Sequence, residues 1–370
     1  YSYDMAFQVN VLRELSIPLN NIYLIRLNRD YIRAEKLNIH ELFKIEDFSE
    51  NVLEILENCR QEMDLAYDTL INMDEPKSCL CVYKTKSNHC TSFNYFNKNI
   101  PEYSIYDIAR ISNKKVVELV DNKIISISDV PDDYELTKRQ RNQVDAFNLN
   151  KSLIDKEKLN KFLETIEFPI SFIDYETLPS AVPKYKNYQP YHHIPFQFSL
   201  HVLNSPNEEL KHFEFLHDIN TSPDLSFIEA LKKYLPKTGS IIVWSKKFES
   251  GINANLAKRN LDYQDFVANF NDRIVDLETP FKEQLYVHPG FKGKSSIKYI
   301  LPILSPSLSY QNLNIQDGGA ACEVYSKLID NYYKGNEREE KIKDLLNYCC
   351  LDTLAMYEIY KHCLSLLKIN

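Results

Sequence analysis

Apolar residues recur at helical spacing through much of the first 167 residues, and short strand-like runs replace them from Phe168 onward. The first part predicts a helix from Asp4 to Leu15, a strand in "IYLIRL" and one long amphipathic helix in "ENVLEILENCRQEMDLAYDTLINM". A cysteine-bearing loop follows from Cys79 to Asn99, and then short helices to about Ile127. Two polar helices are predicted in residues 128–166, where we place a helical linker.

The C-terminal part predicts short strands in series, namely "ISFIDYE", "PFQFSLHVL" and "LKHFEFLH". The helix "DLSFIEALKKYL", the strand "SIIVW", the helix "FESGINANLAKRN", the strand-like "RIVDL" and closing helices come next. Three strands, a helix and another strand is the order of an RNase H-like mixed sheet flanked by helices. We therefore predict an α/β protein with three regions, residues 1–127, 128–166 and 167–370, of which the last is RNase H-like.

Composition is that of an ordinary globular protein, with 44% hydrophobic and 26% charged residues among 370. The net charge of -8 argues against a protein that binds nucleic acid through bulk positive charge, but not against an enzyme with a local basic groove. No apolar stretch reaches the length of a membrane span, so we expect no membrane partner and a cytoplasmic location. The eight cysteines show no secreted-type spacing and are expected to be reduced thiols.

Two carboxylates end the strand-like run "FPISFIDYETLPS". Asp174 and Glu176 are two residues apart, so on a strand both side chains point to one face. Their negative charges repel unless a cation lies between them. An Asp-x-Glu pair by itself is equally typical of a solvent-exposed strand end. A metal site is therefore favoured only if further ligands come from other parts of the chain.

Partners for these carboxylates are predicted in two later segments. The helix "LLNYCCLDTLAMYEIYKHCL" carries Tyr348 and Asp352 four residues apart, hence on one helix face. In "IIVWSKKFESGINANL" a buried-type strand ends and Glu249 opens a helix at the carboxyl end of the sheet, where α/β sheets usually place their sites. Four carboxylates could then converge, and all-oxygen donors suit Mg²⁺ or Mn²⁺.

The motifs "FIDYET", "SKKFE" and "YCCLD" resemble, in order, the three motifs of the DEDD 3′-to-5′ exonucleases, the DnaQ-like branch of the RNase H-like fold. The Tyr-x-x-x-Asp of the third motif is the tyrosine-type variant. More closely, "SFIDYETLPSAVPKYKNYQPYHHIPFQFSLHVL", "RIVDLETPF" and "SSIKYILPILSPSLSYQNLNIQDGGAA" resemble a bacterial family catalogued as domain of unknown function 2779. This resemblance runs from about Asp155 to the C-terminus.

The resemblance implies a two-metal hydrolysis of nucleic acid from a 3′ end, with single-stranded DNA favoured over RNA. Asp174, Glu176, Glu249 and Asp352 would bind two Mg²⁺ or Mn²⁺ ions, and Tyr348 would orient or help deprotonate the attacking water. Thr177 would contact the terminal nucleotide, with Phe248 as a further substrate contact. Family members usually carry Asp where this chain has Glu249. A nucleic-acid-binding or scaffold protein that keeps the fold without activity is the alternative.

The N-terminal part resembles more loosely a RecB-like PD-(D/E)XK nuclease half. "YDMAFQVNVLREL" is similar to the helix after the catalytic core of that nuclease, and "CLCVYKTKSNHCTSFNYFN" to its cysteine region. The catalytic residues of that half would lie before Tyr1, so the chain looks truncated. Phe96 occupies a position where the family pattern has a further cysteine, and we therefore expect no iron–sulfur cluster.

Basic residues and aromatic residues supply further candidates for nucleic-acid contact. "FKGKSSIKYIL" offers three lysines for backbone phosphates, and "TKRQRNQ" offers three more basic residues on a polar helix; either set could be a solvated face. Three aromatic residues could stack on bases or pack in the core. The three lysines are Lys292, Lys294 and Lys298, and the basic residues of the polar helix are Lys138, Arg139 and Arg141. The three aromatic residues are Tyr188, Tyr191 and Phe196.

Three other polar features also have two interpretations. Asp276 in "RIVDLETPF" is either a fifth metal ligand or, more favoured, the cap of the next helix. His192 and His193 either line a substrate groove or, more favoured, are polar surface. His89 with Cys79, Cys81 and Cys90 either forms a zinc site of unusual spacing or, more favoured, is a histidine among free thiols.

Overall fold

A computed structural model describes residues 1–72 and 78–368 of the chain, with side chains described to residue 367. It divides into two compact units. The first consists of Tyr1–Cys79 and Ser180–His192, and the second of Leu80–Pro179 and His193–Asn370. The second unit contains every residue that the sequence nominates for catalysis.

The first unit is built from short helices and a two-stranded antiparallel ribbon. Its elements are α1 Ser2–Glu14, β1 Tyr23–Leu27, α2 Ile39–Leu42, β2 Phe43–Asp47, α3 Ser49–Leu53 and α4 Leu56–Asn72. The prediction of one long helix around residues 50–73 is therefore wrong, because this segment forms two helices, α3 and α4. Met73, the last residue of the predicted helix, lies outside the described residues. Val52 of α3 and Leu56 of α4 are both buried against α1. The break between α3 and α4, which the sequence pattern does not mark, therefore lies within the core of this unit.

The second unit contains the remaining elements. Its helices are α5 Phe93–Phe96, α6 Asn113–Asp121, α7 Lys138–Asn148, α8 Lys156–Leu163, α9 Asp224–Tyr234, α10 Lys246–Arg259, α11 Gln264–Asp272, α12 Thr279–Lys282, α13 Ile297–Leu304, α14 Gly318–Ile329 and α15 Gly335–Lys368. Its strands are β3 Leu153–Ile154, β4 Ile170–Pro179, β5 His193–Leu203, β6 Lys211–Leu216, β7 Ile241–Val243, β8 Ile274–Asp276 and β9 Tyr286–Val287. Single 3₁₀ turns occupy Leu80–Tyr83, Lys86–Asn88, Ile105–Asp107, Ile127–Asp129, Leu261–Tyr263, Pro289–Phe291 and Tyr310–Asn312.

A mixed five-stranded sheet organises the second unit, in the order β6-β5-β4-β7-β8. β4, β5 and β6 form an antiparallel meander, whereas β7 and β8 run parallel to β4. The predicted α/β class is confirmed, and the strands predicted from Ile170 onward all occur. The finer assignment to an RNase H-like fold stays a prediction.

Strand alternation gives each face of the sheet its own apolar core. Ile173 and Tyr175 of β4 face a core that includes residues of α9, α10 and α11. Phe172, the neighbour of Ile173, faces the opposite core together with α8, α13 and α15. Asp174 follows the same alternation and points to the α15 side, because residues two apart on a strand share a face.

The start of β4 is held closely against the turn before β7. Gly239 lies there at φ +82°, and a Cβ on it would be 2.0 Å from the carbonyl oxygen of Pro169. Only glycine combines this close approach with this backbone conformation. The close contact aligns β7 beside β4 and so aims the carboxyl end of β7 at the edge where β4 carries its acidic residues.

The longest helix, α15, packs against β4 and β5. Its 34 residues alternate charged and apolar positions rather than forming one apolar stretch. Among the helices within residues 1–72 and 78–368, none is long and apolar enough to cross a bilayer.

Candidate active site

Asp174 and Glu176 lie on one face of β4, as the sequence predicts. In the β4–β5 ladder Asp174 is opposite Ser199 and Glu176 is opposite Gln197, and the register shifts between Glu176 and Thr177. An oxygen of each carboxylate and the sulfur of Cys349 lie within 4.8 Å of one another. The two negative groups are therefore as close as their spacing on a strand requires.

Helix α15 brings Tyr348 and Asp352 to the same place. Both side chains are buried, and their electrostatic interaction with Asp174 places them beside the β4 carboxylates. Between them in sequence, the thiol of Cys349 donates to the backbone oxygen of Asp174 at 3.7 Å. This contact attaches the helix to β4 at the level of the acidic residues.

Glu249 reaches the cluster from the first turn of α10, directly after β7. Its side chain is 2% exposed, and it interacts electrostatically with Asp174. Within residues 1–72 and 78–368, its Oε2 atom has no hydrogen-bond partner. Burial is the main reason why the pKa of Glu249 is raised to about 8. A buried carboxylate oxygen without a partner is costly unless a cation or a proton satisfies it.

The four carboxyl groups are electrostatically strained when all are ionised. Burial, followed by the charges of Asp352, Glu176 and Glu249, raises the pKa of Asp174 well above its usual range. Burial likewise raises the pKa of Glu176 to about 8 and that of Asp352 to about 6, while the nearby Lys298 ammonium opposes both shifts. A single lysine cannot balance four carboxylates, so the cluster has the charge and the oxygen donors of a site for divalent cations.

Two tyrosine hydroxyls border the cluster. The hydroxyl of Tyr310 donates to Oδ1 of Asp352 at 2.5 Å, and the ring of Tyr310 lies 6.1 Å from that of Tyr348. Burial and the neighbouring carboxylates raise the pKa of both hydroxyls well above the ordinary value. Both tyrosines are therefore protonated at neutral pH; Tyr310 acts as a hydrogen-bond donor, and the Tyr348 hydroxyl is able to donate.

Thr177 and Phe248 are connected through His193. Thr177 Oγ1 lies 2.7 Å from His193 Nδ1, and the Phe248 ring packs edge-on against the imidazole at 5.3 Å. Since Thr177 follows Glu176 and Phe248 precedes Glu249, this row of three side chains lies alongside the carboxylates. Of the two interpretations of His193, the structure favours a place beside the site.

The three candidate lysines are not equivalent. Lys298 interacts electrostatically with Glu176 and Asp352, and its ammonium lies 3.4 Å from the backbone oxygen of Gln316. Lys292 instead forms an ion pair with Glu102 at 2.6 Å, and Lys294 lies over the Tyr299 ring at 3.8 Å. The structure thus brings only Lys298 of these three to the carboxylates.

Several aromatic and basic candidates have structural roles. Phe196 is fully buried and stacks on Tyr325 at 3.6 Å, and Tyr188 is buried as well, so neither ring is open to a base. Tyr191 is half exposed. Arg141 donates to the backbone oxygens of Pro131 and Tyr134, which uses its guanidinium within the protein. Lys138 is exposed and Arg139 is half-buried on α7.

The remaining ambiguous residues are also assigned to definite contacts. Asp276 accepts the backbone N–H groups of Lys246, the first residue of α10, and of Glu278, the N-cap residue of α12, at 3.2 and 3.0 Å. It therefore contacts the starts of two helices, but it is not itself the N-cap of α12. His89 stacks on Phe93 at 3.5 Å, and its Nε2 atom lies 2.9 Å from the backbone oxygen of Lys84. Cys81 is buried, whereas Cys90 is exposed.

Sequence reasoning missed Tyr310 and Gly318 as neighbours of the site. Tyr310 lies in the irregular segment between α13 and α14, where no periodicity marks it. Gly318 opens α14, and a Cβ there would be 3.8 Å from Oε2 of Glu176. The quoted block "LSYQNLNIQDGGAA" contains both residues, so its resemblance to a family was the available signal.

Comparison with family models identifies the segment that contains β4, β5 and Glu249. Residues 171–296 match the family Domain of unknown function (DUF2779). This confirms the predicted family for that segment. The match includes Asp174, Glu176 and Glu249 but ends before Tyr348 and Asp352.

Three curated relatives share low but extended similarity. "Uncharacterized protein MG366" of Mycoplasma genitalium is 26% identical over 61% of this chain and 37% of its own length. Its homolog in Mycoplasma pneumoniae is 25% identical over 58% and 35%, and "Uncharacterized protein UU173" of Ureaplasma parvum is 23% identical over 85% and 48%. The chain thus spans about a third to a half of the length of these relatives. No solved structure matches the chain.

Proposed function

We propose that the second unit is a metal-dependent 3′-to-5′ exonuclease that acts on single-stranded nucleic acid, DNA in preference to RNA. One observation carries the proposal: half-buried Asp174 on β4 interacts electrostatically with three buried carboxyl groups, and one oxygen of one of them has no hydrogen-bond partner among the described residues. The three are Glu176 on β4, Glu249 on α10, which has the unpartnered oxygen, and Asp352 on α15. Buried carboxylates this close together are expensive to maintain unless they have a ligand.

Asp174, Glu176, Glu249 and Asp352 fit divalent cations, Mg²⁺ or Mn²⁺, because they offer only oxygen donors and an excess of negative charge. When bound, such cations supply the Lewis-acid and water-activating chemistry of phosphodiester hydrolysis. The motif order and the sheet order β6-β5-β4-β7-β8 support the assignment to the RNase H-like DEDD group.

The other side chains of the site have roles that follow from their protonation and position. Tyr348 keeps its proton at neutral pH in the metal-free protein, and its place beside the carboxylates would let it orient the attacking water by a hydrogen bond. Lys298 places a positive charge near Glu176 and Asp352, where it can meet a substrate phosphate. Thr177 and Phe248 form the contact for the terminal nucleotide, steadied by His193.

We also propose that residues 1–127 are part of a RecB-like PD-(D/E)XK half that helps to hold nucleic acid. The support is their resemblance in sequence together with the fact that the curated relatives are about two to three times as long as the matched part. This assignment concerns residues 1–127 and is independent of the carboxylate cluster.

A protein that binds nucleic acid without cutting it is the second candidate, and one contact favours it. The Tyr310 hydroxyl occupies Oδ1 of Asp352, an atom that a cation would otherwise use. If this bond persists when metal is offered, the site loses one oxygen donor. The protein would then bind nucleic acid without cleaving it.

End-labelled oligonucleotides distinguish the two candidates. With Mn²⁺ or Mg²⁺, an exonuclease releases single nucleotides early from a 3′ label and gives a descending ladder from a 5′ label. Parallel DNA and RNA strands identify the polymer, and Asp174→Asn is the negative control with nearly unchanged side-chain volume. Binding of the strands without shortening in either metal would overturn the exonuclease proposal and favour the scaffold.

A further inference from the structure

Two histidines and a cysteine meet where α15 crosses the outer strands of the sheet. His201 of β5 and His212 of β6 are paired in the antiparallel ladder, and their rings stack at 4.4 Å. Cys350 of α15 faces them, and one ligand atom from each of the three residues lies within 4.8 Å of the others. His201 is buried, Cys350 is half-buried and His212 is exposed, so the cluster is open to solvent on one side.

A chain of hydroxyl groups contacts both imidazoles. Ser199 Oγ lies 3.0 Å from His212 Nε2 and 2.7 Å from Thr353 Oγ1, which in turn lies 2.7 Å from His201 Nδ1. One ring nitrogen of each histidine thereby has a hydroxyl partner, which leaves His201 Nε2 and His212 Nδ1 for a ligand. Because the rings stack within 27° of parallel, the exposed His212 ring must turn before both of these nitrogens can point to one ion. Metal-binding histidines typically have this arrangement, in which a hydrogen bond at the second nitrogen orients the ring.

The charge around the cluster suits a cation. Glu214, two residues beyond His212 on β6, interacts electrostatically with both His212 and Cys350. A thiolate and a carboxylate would together neutralise a dication. The donors differ from those of the carboxylate cluster, since imidazole and thiolate select Zn²⁺ over Mg²⁺ or Mn²⁺.

We propose that His201, His212 and Cys350 form a zinc site that is separate from the carboxylate cluster. Binding deprotonates the Cys350 thiol and releases that proton to solvent, while the two neutral imidazoles donate nitrogen lone pairs. The fourth position faces water and provides the entry path. Three protein ligands and one open position is a common zinc arrangement. The site ties the edge strand β6 and β5 to α15, the helix that carries Asp352.

Cobalt substitution in the full chain tests the ligand set directly. Co²⁺ added to chelator-treated protein should give a thiolate-to-cobalt charge-transfer band and the strong visible bands of a tetrahedral site. His212→Asn and Cys350→Ser should each abolish the thiolate-dependent bands. Cys90→Ser and Asp174→Asn, which alter the N-terminal cysteines and the carboxylate cluster, should leave them intact. Bands that survive His212→Asn in a Cys90→Ser background, or that vanish in Cys90→Ser alone, would overturn the proposal.

The hydroxyl chain gives a second, quantitative test. Thr353→Val keeps the side-chain shape but removes the hydrogen bond to His201, so the zinc affinity measured by competition with a chromophoric chelator should fall by roughly 10- to 100-fold. Unchanged affinity would contradict the positioning role and with it the site. If the exonuclease proposal holds, the His212→Asn protein should still release nucleotides from a 3′ label. A variant that no longer binds zinc but keeps its nuclease activity would show that the two sites are separate.

Discussion

The hydroxyl of Tyr310 donates a hydrogen bond to Oδ1 of Asp352 across 42 positions of sequence. Tyr310 lies in an irregular segment, whereas Asp352 projects from the middle of α15. The bond directs the carboxylate toward Asp174 and Glu176, and it also partly satisfies a charge that would otherwise be compensated by a cation alone. Tyr310 therefore positions Asp352, and in the proposed metal site it would compete with a cation for the same oxygen.

Replacing Tyr310 with phenylalanine should tighten metal binding. The change removes the competing O–H group and leaves the ring in place, so the Mn²⁺ concentration for half-maximal binding should fall by roughly 3- to 10-fold, which corresponds to one modest hydrogen bond. Isothermal titration with Mn²⁺ measures this. Weaker binding than in the wild type would show instead that the bond organises the site.

The stability of the metal-free protein should fall as the pH rises. The folded-state pKa values of Glu176 and Glu249 are about 8, above their usual value of 4.5, so the folded protein keeps protons that the unfolded chain releases. Stability from these groups is full below pH 4.5 and is lost toward pH 8, by at most about 1.4 kcal/mol per pH unit for each group. Thermal melts from pH 5 to 9 with a chelator measure this loss.

Saturating Mn²⁺ is the control for that pH dependence. A cation that binds the ionised carboxylates stabilises the folded state, so the melting temperature at pH 8 should recover with Mn²⁺. A melting temperature that does not depend on pH in the chelator, or that rises from pH 5 to 8, would show that the carboxyl groups are not strained in the metal-free protein.

Glu249→Gln should stabilise the metal-free protein at pH 8 while abolishing activity. The neutral amide keeps the size of the side chain and removes a buried charge, for a gain on the order of 1–3 kcal/mol in the free energy of unfolding. Glu340→Gln, at an exposed position of α15, is the matched control and should change neither property. Denaturant unfolding at pH 8 gives the comparison, and a destabilised Glu249→Gln protein would refute strain at this residue.

Tyr348→Phe should reduce exonuclease activity without unfolding the protein. The hydroxyl is buried beside three carboxylates and is protonated in the metal-free protein, so it can donate a hydrogen bond to one of them or to a water. Loss of one hydrogen bond to a charged or metal-activated group corresponds to roughly 10- to 100-fold in rate. Single-turnover cleavage measures this, and a rate equal to the wild type would remove Tyr348 from the reaction.

The strands from β4 to β7 and the pairing of site residues within one strand or one helix could be predicted because both follow from strict periodicity. Alternation places Asp174 and Glu176 on one face of β4, and helical spacing pairs Tyr348 with Asp352. Glu249 was found because it directly follows a buried strand. Each of these inferences needed only local rules and the usual location of sites in α/β sheets.

Other parts depend on tertiary contacts that local patterns do not encode. The break between α3 and α4 occurs without glycine or proline, because Val52 and Leu56 both pack on α1. The approach of Tyr310 to Asp352 depends on an irregular segment, and the ion pair of Lys292 with Glu102 joins residues 190 positions apart. The zinc cluster was missed because its ligands come from two strands and a helix with no common motif.

A Mn²⁺ titration at pH 8, monitored by the electron paramagnetic resonance signal of free Mn²⁺, tests the proposed metal site most directly. We expect two bound ions per chain in the wild type and none or one in Asp174→Asn. Asp262→Asn, at an exposed position of the same unit, should bind as the wild type does. Equal binding by all three proteins, or no binding by the wild type, would contradict a cation site at Asp174, Glu176, Glu249 and Asp352.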